Sequence, residues 1–279
     1  MIKIKYKEIL NKKVCSIDKV RIEFKMDLGF IQALMYEFGN ASDVGCSTNF
    51  KMSTCHFMYH INLPDDNSFM VGFCPNWIKD KKSQETHGII EFNPNKVKKY
   101  QRFKDIFNSL LVNSQKWDIK RYDLACDIPV KRSRIYTFKD QRKYCMIQNS
   151  LDDKTEYLGN RNHHGFVKIY NKTLESKLDY ILTRIELTLN YGVGLDEINS
   201  LMPKIFICDD MQFNFKITDT DMVLCVACLD NPSYLNMLGR RKKEKISSLL
   251  SSLAHDFTVS DFDYMLMLSD LACYKSIIS

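Results

Sequence analysis

Between Asp118 and Asn190 the chain reads as strand after strand: Asp118 to Ile128, Arg134 to Phe138, Thr155 to Leu158, Gly165 to Lys172 and Leu182 to Asn190. No alternation of strand and helix runs through this stretch, which disfavours a doubly wound parallel sheet and favours a mostly antiparallel one with helices packed on one face, an α+β layout. An earlier strand is marked by Val20, Ile22, Phe24 and Met26 alternating with Arg21, Glu23 and Lys25. Asp27 then precedes Phe30, Ile31, Leu34, Met35 and Phe38 at helical spacing, with Gly39 as the stop. Cys55 to Leu63 and Ser68 to Phe73 flank Pro64, Asp65, Asp66 and Asn67, a hairpin composition. Gly88 to Phe92 is a further strand, after which Asn93 and Pro94 start a helix carrying Val97, Tyr100, Phe103, Phe107, Leu110 and Leu111 on one face. Met222 to Leu229, Tyr234 to Leu253 and the last forty or so residues read as helical, which suggests a division between residues 1–195 and a mainly helical 196–279.

The longest apolar run, Met222 to Leu229, falls well short of the roughly 20 residues of a membrane-spanning helix. No apolar leader is visible at the start, so the expected location is cytoplasmic, with no membrane partner. The ten cysteines lack paired spacing and read as reduced, mostly buried thiols, Cys225 and Cys228 as core rather than as a zinc site. Among 279 residues, 40 Lys and Arg face 34 Asp and Glu, a net +6. The excess is local: from Lys96 to Lys143 fourteen Lys and Arg face five Asp, a net +9, with Tyr100, Phe103, Trp117, Tyr122, Tyr136, Phe138 and Tyr144 among them. That mixture suits phosphate contact and base stacking, and suits an ordinary solvated face about equally well.

Three strands put polar groups on one side. Arg121, Asp123, Ala125 and Asp127 face one way in the first, Phe166, Lys168, Tyr170 and Lys172 in the second, and Arg184, Glu186, Thr188 and Asn190 in the third. Should those faces coincide, the set suits attack on a phosphodiester. Asp123 and Glu186 would hold Mg²⁺ or Mn²⁺, hard ions that take oxygen ligands. Tyr170 would be the nucleophile, with Lys172 roughly 7 Å along the strand and Lys168 on the other side. Asp123 and Asp127 would lie about 13 Å apart, too far to share an ion, which leaves Asp127 a supporting or capping place. Tyr157 is a second candidate nucleophile. His163 and His164 read as loop residues, and the basic run Arg240 to Lys245 as a helix face with a weak claim to DNA contact.

The order Arg121-Tyr122-Asp123-Leu124-Ala125-Cys126-Asp127, Tyr157-Leu158-Gly159-Asn160-Arg161, Lys168-Ile169-Tyr170-Asn171-Lys172 with Glu175, and Thr183-Arg184-Ile185-Glu186 resembles the plasmid and phage rolling-circle replication initiators of the Rep_trans group. The likeness takes in Gly88 to Pro94 and covers about residues 15–250. It implies an origin-specific DNA nickase and strand transferase whose tyrosine stays joined to the 5′ phosphate while the 3′ hydroxyl primes synthesis. On that carry-over Tyr170 is the nucleophile, Asp123 and Glu186 are metal ligands with Asp127 as a further one, and Arg184, Lys168 and Lys172 steady phosphate. Residues 1–195 would be the nicking domain with its origin-binding elements. The implied partners are origin DNA, as a single-stranded or cruciform nick site, a host helicase and, as in some relatives, a second copy of the chain. The spaced histidine pair of many tyrosine nickases is not reproduced by His163 and His164. A relaxase-like mobilisation nickase shares these motifs, and a non-catalytic DNA-binding regulator would keep the basic groove alone.

Overall fold

In a computed structural model of the chain, residues 12–48, 57–75, 85–207 and 218–276 are described. The first part runs β1 (Val14–Asp27), α1 (Leu28–Asn40), β2 (Val44–Thr48), β3 (Phe57–Leu63), β4 (Asn67–Pro75), β5 (Glu85–Phe92), α2 (Pro94–Val97), α3 (Gln101–Val112) and β6 (Ser114–Ile128). It continues through β7 (Ile135–Thr137), β8 (Tyr144–Gln148), β9 (Lys154–Leu158), β10 (Val167–Asn171), α4 (Lys172–Ser176) and β11 (Thr183–Asn190). The last part holds α5 (Leu195–Leu201), β12 (Lys204–Ile207), α6 (Asp219–Asp230), α7 (Arg240–Leu253), β13 (His255–Asp256) and α8 (Asp261–Ser276). Ten strands are hydrogen-bonded in the order β2-β3-β4-β5-β1-β6-β11-β10-β9-β8, and three more in the order β13-β12-β7. The fold is the α+β one that the sequence predicts, with a large antiparallel sheet and a helical C-terminal region.

Two compact units divide these elements, and the chain passes between them more than once. One is formed within Ile17–Leu124, Leu189–Gly192 and Met265–Ser279. Here Ile22 pairs with Ile90 and Phe24 with Gly88, while Val71 and Phe73 of β4 meet the same two β5 residues from the other side, so their side chains share one face. A Cβ at Gly88 would run into the Phe24 ring, and only glycine lets that ring cross the strand. Helices cover this face: Phe38 of α1 lies 5.2 Å from Tyr59, Phe103 of α3 lies 4.9 Å from Phe92, and Tyr274 of α8 lies 5.2 Å from Phe92. The Asp27 carboxylate accepts the Gly29 N–H at the start of α1, the cap its position predicts. The single helix expected after Pro94 is two. The chain breaks at Lys98 to Tyr100 because the Tyr100 hydroxyl turns away to the Pro64 carbonyl (3.0 Å) and the Asp65 carboxylate (2.8 Å).

The other unit is formed within Met1–Ser16, Ala125–Thr188 and Val193–Tyr264. Val167, Ile169, Ile185 and Leu187 are fully buried on one side of β10 and β11. A second apolar cluster of Phe206, Cys225, Cys228, Leu229, Ile246, Leu250 and Leu253 absorbs the Cys-x-x-Cys pair as packing. The eight cysteines among the described residues are free thiols. The helix expected from Tyr234 to Leu253 begins only at Arg240. Pro232–Met237 form 3₁₀ turns, with Asn231 accepting the Ser233 N–H at their start.

Candidate functional site

Across the β10–β11 ladder Lys168 stands opposite Glu186 and Tyr170 opposite Arg184, while Lys168 also stands opposite Tyr157 of β9. The pleat therefore sets Tyr157, Lys168, Tyr170, Arg184 and Glu186 on one face, with Val167, Ile169, Ile185 and Leu187 on the other. Diagonal neighbours on a sheet are within reach of long side chains. The Tyr170 hydroxyl donates to Glu186 Oε1 at 2.5 Å. Lys168 Nζ sits 3.7 Å from the centre of the Tyr170 ring and Lys172 Nζ 5.9 Å away, so cations flank the phenol. Arg184 makes a two-pronged pair with Asp127 of β6, Nε to Oδ1 at 2.7 Å and Nη2 to Oδ2 at 2.8 Å.

Two of the expected site residues sit differently from the sequence reading. Tyr170, on a face whose alternation reads as polar, is only 3% exposed. Burial, then the Glu186 charge and the hydrogen bond to it, push its phenol far above the usual value near 10, despite the pull of Arg184. Lys172, expected to continue the strand, is the first residue of α4. Asn171 accepts the Leu174 N–H and caps a helical turn, and Lys172 Nζ then pairs with Glu175 Oε2 at 2.5 Å. Burial raises the Glu175 carboxyl but is outweighed by the hydrogen bonds from Lys172 and Ser176, which hold it below the ordinary carboxylate value. Tyr157, by contrast, is half-buried, stacked on Phe166 at 6.0 Å, and its hydroxyl has no hydrogen-bond partner among the described residues.

Asp127 gives both oxygens to Arg184 and Glu186 gives one to Tyr170. Asp123 lies four residues before Asp127 on β6, half-buried, in the part of that strand belonging to the other unit. Among the described residues no three His, Cys, Asp or Glu side chains converge as a metal cluster.

No protein-family model matches the sequence, and no curated protein does. The solved structure of a rolling circle replication initiator protein from Geobacillus stearothermophilus aligns with 72% of this chain and 90% of its own, at 15% identity and a TM-score of 0.37. A superposition that loose carries no weight for chemistry.

Part of the basic stretch is balanced where it folds. Lys99 pairs with Asp65, Arg102 with Asp43, Arg121 with Glu91 and Arg142 with Asp140. The helical run Arg240 to Lys245 is similar: Lys242 and Lys245 both reach the Asp221 carboxylate at 2.6 Å, and Arg240 pairs with Glu244. This weakens the claim of that helix to a DNA backbone. His163 and His164 lie in the β9–β10 connection as expected, His164 Nε2 meeting Glu197 at 3.0 Å.

One constellation has no counterpart in the sequence reading. Arg132 is fully buried, its guanidinium donating to the Lys154 carbonyl (3.2 Å), the Ile135 carbonyl (2.6 Å) and Glu156 Oε2. Glu156 also accepts from Thr137 (2.8 Å) and Tyr144 (2.7 Å). Burial raises the Glu156 carboxyl, yet the Arg132 and Lys154 charges win and hold it below its usual value. This cage ties β9 to β7 and β8 on the side opposite Tyr157. Glu156 stands directly before Tyr157, at alternate sequence positions from the expected face, which is the one signal that marks it as inward-facing.

No helix among the described residues is long and apolar enough to cross a membrane.

Proposed function

We propose that this chain nicks and rejoins DNA at a rolling-circle origin through a tyrosine on the polar face of β9, β10 and β11. The observation that carries the reading is the Tyr170–Glu186 hydrogen bond set among Lys168, Lys172 and Arg184. A nucleophile in contact with its base, beside cations fit for phosphate, is what attack on a phosphodiester needs. The motif order in the sequence supports the same reading. In this scheme the Tyr170 oxygen attacks phosphorus and passes its proton to Glu186. The bond to the 3′ oxygen breaks, that oxygen takes up a proton, and the 5′ phosphate stays on the tyrosine until a 3′ hydroxyl reverses the step. Arg184 and Lys168 offset charge gathering on the phosphoryl oxygens. The groups that cover the ring must open for this to happen, with the Tyr170–Glu186 contact kept. Origin DNA, a host helicase and a second copy of the chain are the partners of this scheme.

A second reading keeps the reaction and moves the nucleophile. Tyr157 shares the face, stands opposite Lys168 and has a hydroxyl already free to receive a strand.

The test is incubation with a supercoiled plasmid carrying the origin, with and without Mn²⁺, since Asp127 and Glu186 would have to exchange their present partners to hold an ion. The expected product is a nicked circle with covalently attached protein. Peptide mapping of the adduct chooses between residues 170 and 157, and Tyr170→Phe abolishes nicking on the first reading. Full nicking by both Tyr170→Phe and Tyr157→Phe rejects the tyrosine mechanism. Binding without cleavage in either buffer leaves a DNA-binding regulator.

A further inference from the structure

A small cleft lies where β1, β5 and β6 meet, within one compact unit and apart from the β9–β11 face. Its volume is about 110 Å³, and its lining includes Glu23, Lys25, His87, Lys116, Trp117 and Lys120. Pockets for drug-sized ligands run to roughly 300–1,000 Å³, so this cleft suits a group about the size of one flat ring. Trp117 is half-buried, and its indole N–H has no hydrogen-bond partner among the described residues. A tryptophan at a surface ordinarily presents an apolar body with a satisfied tip; here the ring forms a wall. Lys25, Lys116 and Lys120 are all exposed around it, and Lys116 has no ion-pair partner among the described residues. Lys120 pairs with Asp118 at 3.6 Å, and His87 meets Glu23 at 3.5 Å, which supplies an acceptor beside the ring.

An aromatic wall, cations to either side and a neighbouring hydrogen-bond acceptor form the arrangement that holds one base of a single strand, by stacking and by phosphate contact. We infer that this cleft takes a base of single-stranded DNA on Trp117, with Lys25 and Lys116 contacting the flanking phosphates. The inference rests on the DNA reading above and adds a second place where the strand is held.

Trp117 is one of two tryptophans in the chain, so its emission reports on the cleft. The full chain is titrated with fluorescein-labelled (dT)15, which lacks any nick site, following both anisotropy and tryptophan emission at low salt. Quenching that saturates together with anisotropy is expected, and Trp117→Phe should remove the saturable part while circular dichroism stays unchanged. Trp117→Ala should weaken binding roughly tenfold, the loss of about one stacked base. Lys25→Ala with Lys116→Ala should flatten the dependence of log K on log salt by about 1.4, about 0.7 per phosphate contact. Full anisotropy binding with no change in Trp117 emission and no effect of the lysine pair overturns the cleft. Tighter binding of (rU)15 than of (dT)15 overturns its assignment to DNA. Plasmid nicking by the same variants separates the two readings: nicking retained with no quenching removes only the cleft, and quenching retained with no nicking by the parent chain removes only the nickase.

Discussion

The two units contain strands with the same sequence pattern and different polar faces. On β1 and β5 the charges share partners and the outer ones reach water: Lys19 (38% exposed) and Arg121 hold Glu91, while His87 (35%) and Arg21 hold Glu23. On β10 and β11 the alternation is equally regular, yet Tyr170 is 3% and Arg184 8% exposed, the first bonded to Glu186 and the second to Asp127. Period-two patterning therefore tells which residues share a face but not how deep that face lies. Depth decides the energetics. A shallow pair exchanges one hydration shell for a weak attraction, whereas a buried one, left without its partner, carries an uncompensated charge.

The sharpest break of that contrast is at the Arg132–Glu156 cage. Glu156→Ala leaves a fully buried guanidinium with two carbonyls only, and removing one member of such a pair costs about 3–5 kcal/mol. Denaturant titration of the variant checks this, and a loss under about 1 kcal/mol would mean that the cage lies as shallow as the β1–β5 lattice. Arg184→Ala comes next, since Asp127 is left partly buried, with an expected loss of about 1–3 kcal/mol. A stability unchanged by that substitution would place the Arg184–Asp127 pair with the surface pairs.

Alkaline pH sharpens the same distinction. The Tyr170 phenol is raised above its unfolded value near 10 by burial and by Glu186. The folded state thus keeps a proton that the unfolded chain releases. This contribution is complete below about pH 10 and is lost as the pH climbs toward the folded value, at about 1.4 kcal/mol per pH unit. Melting curves from pH 9 to 11 should steepen less in Tyr170→Phe than in the parent. Equal slopes would mean that the ring is solvated.

Much of the fold was legible because its signals are local. Val20 to Met26 alternate, Asp27 caps α1, and Asn93 and Pro94 start α2. What was missed depends on distance or brevity. β2, β8, β12 and β13 run five residues or fewer, too short for a period to show. Asn171 carries a helix cap that ends the strand before Lys172, and a regular polar alternation hid it. Arg132 and Glu156 carry no joint signal in the sequence; only folding brings residues 24 apart into one cage. Tyr170 was placed on the right face, while its burial depends on neighbours that no single strand announces.

The smallest expected effect closes the contrast from the other side. Lys19 is a partly exposed partner of Glu91, which also holds Arg121 at 3.3 Å, so removing Lys19 leaves that carboxylate still paired. Pairs of this kind are worth about 0–1 kcal/mol and weaken with salt. Lys19→Ala should therefore shift the denaturation midpoint barely at all, and less still in 1 M NaCl. A double-mutant cycle with Glu91→Ala isolates the pair itself. A coupling above about 2 kcal/mol that persists in high salt would mean that the β1–β5 face is covered as deeply as the Tyr170 face, and burial would no longer separate a lattice of surface charges from a site.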